Sequence, residues 1–211
     1  MNITEYEHEP IRGLPGDLPP GERILWQGTP EWRSFAASAL HTRWVGIYFA
    51  AIFAVAVAGG SVFGMAATAI GAALLMGMLT LFAVMVARTT VYTLTNRRVV
   101  LRIGVALNSC INLPLKLIAA ADLRVLPGGH GEIALTLKGR HRIGYAMLWP
   151  HARPWRFGDP QPMLRALPEA GHVADMLALA CAAESDIALA PVSGGEVFAP
   201  SPIPAFREAA A

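Results

Sequence analysis

The chain has 211 residues and a formal net charge of +2. That leaves room for one modest domain or two small ones, and too little charge, with no run of Lys and Arg among aromatics, for a nucleic-acid partner. Its 54% hydrophobic content is gathered in one place, which argues against a soluble enzyme.

The first residues, MNITEYEHEP, are acidic and polar rather than a basic stretch leading into an apolar core. No cleavable signal peptide is expected, so insertion would rely on internal spans. Residues 1–43 read as a cytoplasmic N-terminal segment, of which the stretch through Pro20 is punctuated by proline and lies on the surface.

From Trp44 to Ala87 there is no Asp, Glu, Lys, Arg or His, and Arg43 and Arg88 bracket the gap. A bilayer core about 30 Å thick takes roughly 20 helical residues, so this stretch predicts a transmembrane hairpin of two helices. Gly59-Gly60-Ser61 is the best turn signal and sets the spans at residues 44–58 and 62–87, although a loop near Gly64 is also compatible. Arg23, Arg33 and Arg43 precede the hairpin, and Arg88, Arg97, Arg98 and Arg102 follow it. Positive flanks stay inside, so both termini are expected in the cytoplasm of an inner-membrane, multi-pass protein. Trp44, Tyr48 and Tyr92 suit an aromatic belt at headgroup level.

The second span carries small residues, among them Gly64 and Gly71, that allow close helix approach in lipid. They pack the hairpin against itself or, in the other reading, face a partner or a second copy in a homodimer. The only polar residues in the hairpin core are Ser61, Thr68 and Thr80, which argues against a transporter.

Beyond Arg88 the period changes. TTVYTLT, RRVVLRIG, EIALTLKG and RHRIGYAML read as short strands, and residues 106–113 and 117–126 supply two more. The result is an antiparallel meander whose edges need closing or covering. Gly128-Gly129-His130-Gly131 reads as a hairpin turn within it. Asp159 before Pro160 and Pro168 before Glu169 mark a short helix and a longer one, and Val173, Met176, Leu177 and Ala180 give the second an apolar face that caps the sheet. Residues 88–184 thus form a cytoplasmic domain. Residues 185–211, rich in Ala, Pro, Ser and Gly, read as a disordered tail.

Cys110 and Cys181 lie far apart with no CxxC or Cys/His cluster, so neither a disulfide framework nor a zinc site is indicated. His130, His141, His151 and His172 have no HExxH or HxH spacing and no nearby carboxylate pair. No catalytic residue, metal or cofactor is expected. Two surfaces are candidates for contact. Arg97, Arg98 and Arg102, with Lys138, Arg140 and Arg142, would form a juxtamembrane basic surface for anionic headgroups, worth about 1 kcal/mol per basic residue. The alternative is a set of solvated strand faces. Trp149 and Trp155, set among prolines, are either partner anchors or rings packed on the domain.

The order PGERILWQGTPEW, two spans, then VYTLTNRRVVLRIG resembles the bacterial pleckstrin-homology-like membrane proteins, in which the second span runs directly into a PH-like barrel. Tyr92, Thr93, Leu94, Thr95, Asn96, Arg97 and Arg98 match that family's YTLTNRR turn, and Gly104 closes the second strand. Within the group, IRGLPGDLPPGERILWQGTPEW and LWPHARPWRFGDPQPMLRALP are similar to the photosynthetic complex assembly proteins of purple bacteria, over nearly the whole chain.

The resemblance implies a membrane α+β fold: a two-helix transmembrane hairpin, then a PH-like antiparallel β-barrel or sheet capped by a C-terminal amphipathic helix. It also implies a non-catalytic factor for assembling the reaction centre and its core light-harvesting complex, with those subunits and membrane lipids as partners. A lipid-headgroup-binding PH-like protein of general membrane maintenance is the second reading. With no His inside the spans, a chlorophyll magnesium would find no ligand there, and His41 is read as interfacial.

Overall fold

The computed structural model describes residues 13–14, 16–104, 109–139 and 143–185. The expected tail lies almost wholly outside them, as do Arg140, His141 and Arg142.

Strand β1 (Ile24–Gly28) and helix α1 (Trp32–Ser38) come first. Helices α2 (Thr42–Ala58) and α3 (Val62–Thr89) follow and pack as a hairpin. The turn falls at Gly59–Ser61 as expected: Gly60 sits at φ 64°, a conformation that costs glycine nothing, and the Ser61 hydroxyl caps α3 by accepting the Gly64 amide at 3.0 Å. Helix α3 is long and apolar enough to cross a membrane. Helix α2, with 17 residues, passes the same test only together with α1, from which it is bent by 61°.

The remaining elements are strands β2 (Val91–Thr95), β3 (Arg98–Ile103), β4 (Ser109–Pro114), β5 (Ile118–Val125) and β6 (Gly131–Leu137), helix α4 (Tyr145–Leu148), strand β7 (Met163–Leu167) and helix α5 (Ala170–Ser185). They form two antiparallel sheets, β1-β2-β3-β4 and β5-β6-β7. A shared core joins them: Leu94, Leu101 and Leu113 from the first, Ile133, Leu135 and Leu164 from the second, and Val173, Leu177 and Ala180 from α5. The apolar face expected on the last helix is therefore the cap of the sheets, with Met176 packed at its margin.

Four expectations need correction. No closed barrel forms among the described residues, because the strands divide into two sheets. The N-terminal segment does not simply lie on the surface up to Pro20, because Leu14 is 1% exposed. Its Ile24–Gly28 strand pairs with β2, and Phe35 is fully buried with Ala83, Val86 and Ala166. The chain after Asp159 forms β7 rather than a short helix, and residues 145–148, expected within a strand, are helical. The Gly128–Gly131 stretch does join two paired strands, with Gly128 and Gly129 at φ 83° and 79°.

Candidate functional site

The β2–β3 turn is a clasp. The Thr95 hydroxyl accepts the Arg97 and Arg98 amides at 3.1 and 3.0 Å, as Thr does at tight turns, and donates to Glu22 Oε1 at 2.8 Å. Asn96 receives the Arg23 amide on Oδ1 at 2.8 Å and donates through Nδ2 to the Gly21 carbonyl at 3.0 Å. Arg98 closes it with a fork on Glu22, Nε to Oε1 at 2.8 Å and Nη2 to Oε2 at 3.0 Å. The Glu22 side chain is only 2% exposed, so this pair is largely withdrawn from water.

That geometry divides the residues proposed to touch headgroups. Tyr92, expected in an aromatic belt at headgroup level, is fully buried and cannot meet a lipid, which corrects that expectation, and Thr95 in the motif turn is buried as well. Arg98 is engaged by Glu22, whereas Arg97 is exposed beside Gly21, and Arg102 is half-buried on β3. The turn's main work is to hold the N-terminal segment onto the first sheet.

Tyr92 has a second role. Its hydroxyl lies 2.7 Å from His151 Nδ1 and accepts the Arg165 amide at 3.2 Å, while His151 Nε2 faces the Thr90 hydroxyl at 3.3 Å. All three contacts are satisfied when Tyr92 donates to Nδ1 and Nε2 carries the ring proton toward Thr90. Burial, with the Arg165 guanidinium nearby, pushes the His151 imidazole down to about 3, so it is neutral at pH 7. Burial also raises the Tyr92 phenol above its usual range. Arg165 is itself buried, which lowers its pKa against the opposing pull of Glu132, whose carboxylate lies 3.9 Å away. Its Nη2 donates to the Ala152 carbonyl at 3.0 Å.

These bonds fix the segment that carries Trp149 and Trp155. Trp149 is 54% exposed, with its ring 5.5 Å from that of Phe82 on α3. Trp155 is 85% exposed and stands 6.4 Å from Phe157, which lies 4.7 Å from Tyr145. With exposed Met147 they make an aromatic shelf beside α3. Between the shelf, the α1–α2 bend and the second sheet lies a cavity of about 650 Å³, walled by Leu40, His41, Tyr145, Trp149, Phe157 and Arg165 among others. Arg153 closes its rim through Asp122 at 2.6 Å and Gln161 at 3.0 Å. Among the described residues no group of three His, Cys, Asp or Glu is placed to hold a metal ion.

Gly64 and Gly71, expected either within the hairpin or toward a partner, face α2. A Cβ on Gly64 would stand 3.2 Å from the Ala56 Cβ, and one on Gly71 would stand 3.6 Å from the Phe49 ring. They serve close packing of the hairpin, the first of the two expected readings.

Sequence reasoning missed Glu22, Glu132 and Arg165, and it set His151 aside for want of spacing. Each gains its role from partners far along the chain, so no local pattern could reveal it. One signal was available: an Arg inside the apolar stretch MLRAL demands a buried acid, and EIALTL supplies Glu132.

Comparison with known proteins agrees with this architecture. A Rhodobacter capsulatus protein described as an uncharacterized 23.7 kDa protein in the puhA 5′ region is 38% identical over 207 residues, covering 92% of this chain and 97% of its own. Among solved structures, a DUF1696 family protein with a pleckstrin-homology domain from Shewanella loihica PV-4 overlaps 44% of this chain and 71% of its own. That overlap has a TM-score of 0.30 and 16% identity, and it carries no argument. The family model of the bacterial PH domain matches residues 45–180, the hairpin and the two sheets apart from β1, and the chain belongs to that family.

Proposed function

We propose that this protein is a non-catalytic inner-membrane factor that supports assembly of the photosynthetic reaction centre and its core light-harvesting complex by transient protein contact. The observation that carries the proposal is the R. capsulatus relative encoded in the puhA 5′ region, a placement that fits a photosynthesis gene cluster. Its match runs through both the membrane hairpin and the PH-like domain.

In this reading α2 and α3 both span the bilayer, and the arginines on either side hold both termini in the cytoplasm. The physical support is the surface the helices leave free. Helix α2 buries no residue, and α3 buries only Ala83 and Val86, at its PH-like end. Those apolar faces hold the protein in the same bilayer as the subunits it serves, where helix packing rather than hydrophobic burial provides the contact.

The test is photo-crosslinking in pigment-producing cells from Leu74 and Met78, both exposed on α3. Crosslinks to reaction-centre or core antenna subunits that fade once assembly is complete are expected. Crosslinks to lipid alone throughout induction would contradict the proposal.

A further inference from the structure

Helix α3 is longer than a bilayer requires. Its 28 residues extend about 42 Å, whereas roughly 20 residues cross a core about 30 Å thick. If the crossing begins at Val62 it ends near Leu81, so Phe82 stands at the headgroup boundary. Ala83 and Val86, beyond it, are already buried against Phe35 and Ala36 of α1 and Ala166 of β7. On the other span the same boundary is marked by His41, where the chain bends by 61° into α2, and by Trp44, which is 70% exposed.

The aromatic shelf lies between these two markers. Trp149 rests on Phe82, and one cavity brings Trp155 and Phe157 together with Leu40 and His41. Arg156, between Trp155 and Phe157, is exposed too. Trp155 itself is presented at φ 63°, a conformation an L residue rarely adopts. An apolar ring with a polar N–H is best placed where hydrocarbon meets water, and an Arg between two rings can reach phosphate.

We infer that Trp149, Trp155 and Phe157, with Arg156, insert into the cytoplasmic headgroup layer and lay the PH-like domain against an anionic bilayer. This rests on the membrane-spanning reading of the hairpin. It assigns the two tryptophans to lipid rather than to a protein partner, and it gives the domain a second attachment besides the hairpin. The buried Tyr92–His151 bond then holds this foot at the level of the bilayer surface.

The experiment is 19F NMR of the full chain labelled with 5-fluorotryptophan, in nanodiscs of phosphatidylcholine and phosphatidylglycerol, with and without lipid bearing a nitroxide near the glycerol. Substituting Trp44, Trp149 and Trp155 one at a time by Phe assigns their resonances. All three rings are exposed, so each variant keeps its core. Paramagnetic broadening of Trp149 and Trp155 comparable to that of Trp44 is expected, with Trp26 on β1 spared. A sharp Trp155 beside a broadened Trp44 overturns the inference, leaves the anchor intact, and marks the shelf as a protein-facing surface. A sharp Trp44 overturns the spanning reading as well.

Discussion

The Tyr92 hydroxyl lies 2.7 Å from His151 Nδ1, and this contact joins two segments 59 residues apart. Tyr92 opens the family's strand-turn motif, and His151 sits in the loop between the exposed tryptophans. Tyr92→Phe would remove the donor to Nδ1 and the acceptor of the Arg165 amide, leaving buried groups unsatisfied. The expected loss is about 1–3 kcal/mol, read as a lower midpoint of thermal unfolding in detergent. Tryptophan fluorescence should change as well, because Trp149 is released. An unchanged midpoint would mean that the network does not hold the loop.

Acid should loosen the same network. His151 is held near 3 while a free imidazole titrates near 6.5, so the unfolded chain binds the proton more readily between those values. Stability contributed by this group is therefore complete above pH about 6.5 and falls as pH drops toward 3, by at most about 1.4 kcal/mol per unit. Unfolding midpoints measured along that interval check it. His151→Gln should flatten the dependence while lowering stability at neutral pH.

Arg97 and Arg98 are adjacent in sequence and unlike in consequence. Arg98→Ala strands the buried Glu22 carboxylate and should cost about 1.5–3 kcal/mol. Arg97→Ala removes an exposed side chain and should change the unfolding midpoint by less than about 0.5 kcal/mol equivalent. Equal effects would contradict the clasp.

In the hairpin, a Cβ on Gly64 would come within 3.0 Å of the Ser61 hydroxyl and 3.2 Å of the Ala56 Cβ, while one on Gly77 would meet nothing within 4 Å. Gly64→Ala should lower the midpoint of unfolding in mixed micelles, and Gly77→Ala should leave it or raise it slightly, since Ala favours helix more than Gly does.

The legible parts of the fold were those written in short-range chemistry. The charge gap and Gly59-Gly60-Ser61 placed the hairpin turn, and the spacing of Val173, Leu177 and Ala180 placed the buried face of α5. The first sheet was only half legible, because β1 becomes a strand by pairing with β2 across about 70 residues of chain, and five residues carry little periodicity of their own. Strand β7 was hidden by Arg165, which looks misplaced in a buried strand until Glu132 is brought beside it. The motif itself is legible, but the direction of its side chains is not. Tyr92 and Thr95 point inward as structural pins, and the aromatic shelf becomes a surface only because those pins hold it against α3.

The decisive test of the proposed assembly role is to delete the gene from its host and record near-infrared absorption of membranes during induction of pigment synthesis. Reaction-centre and core antenna bands should be reduced together, and the intact chain supplied in trans should restore them. Bands of normal height and normal rate of appearance in the deletion strain would contradict it.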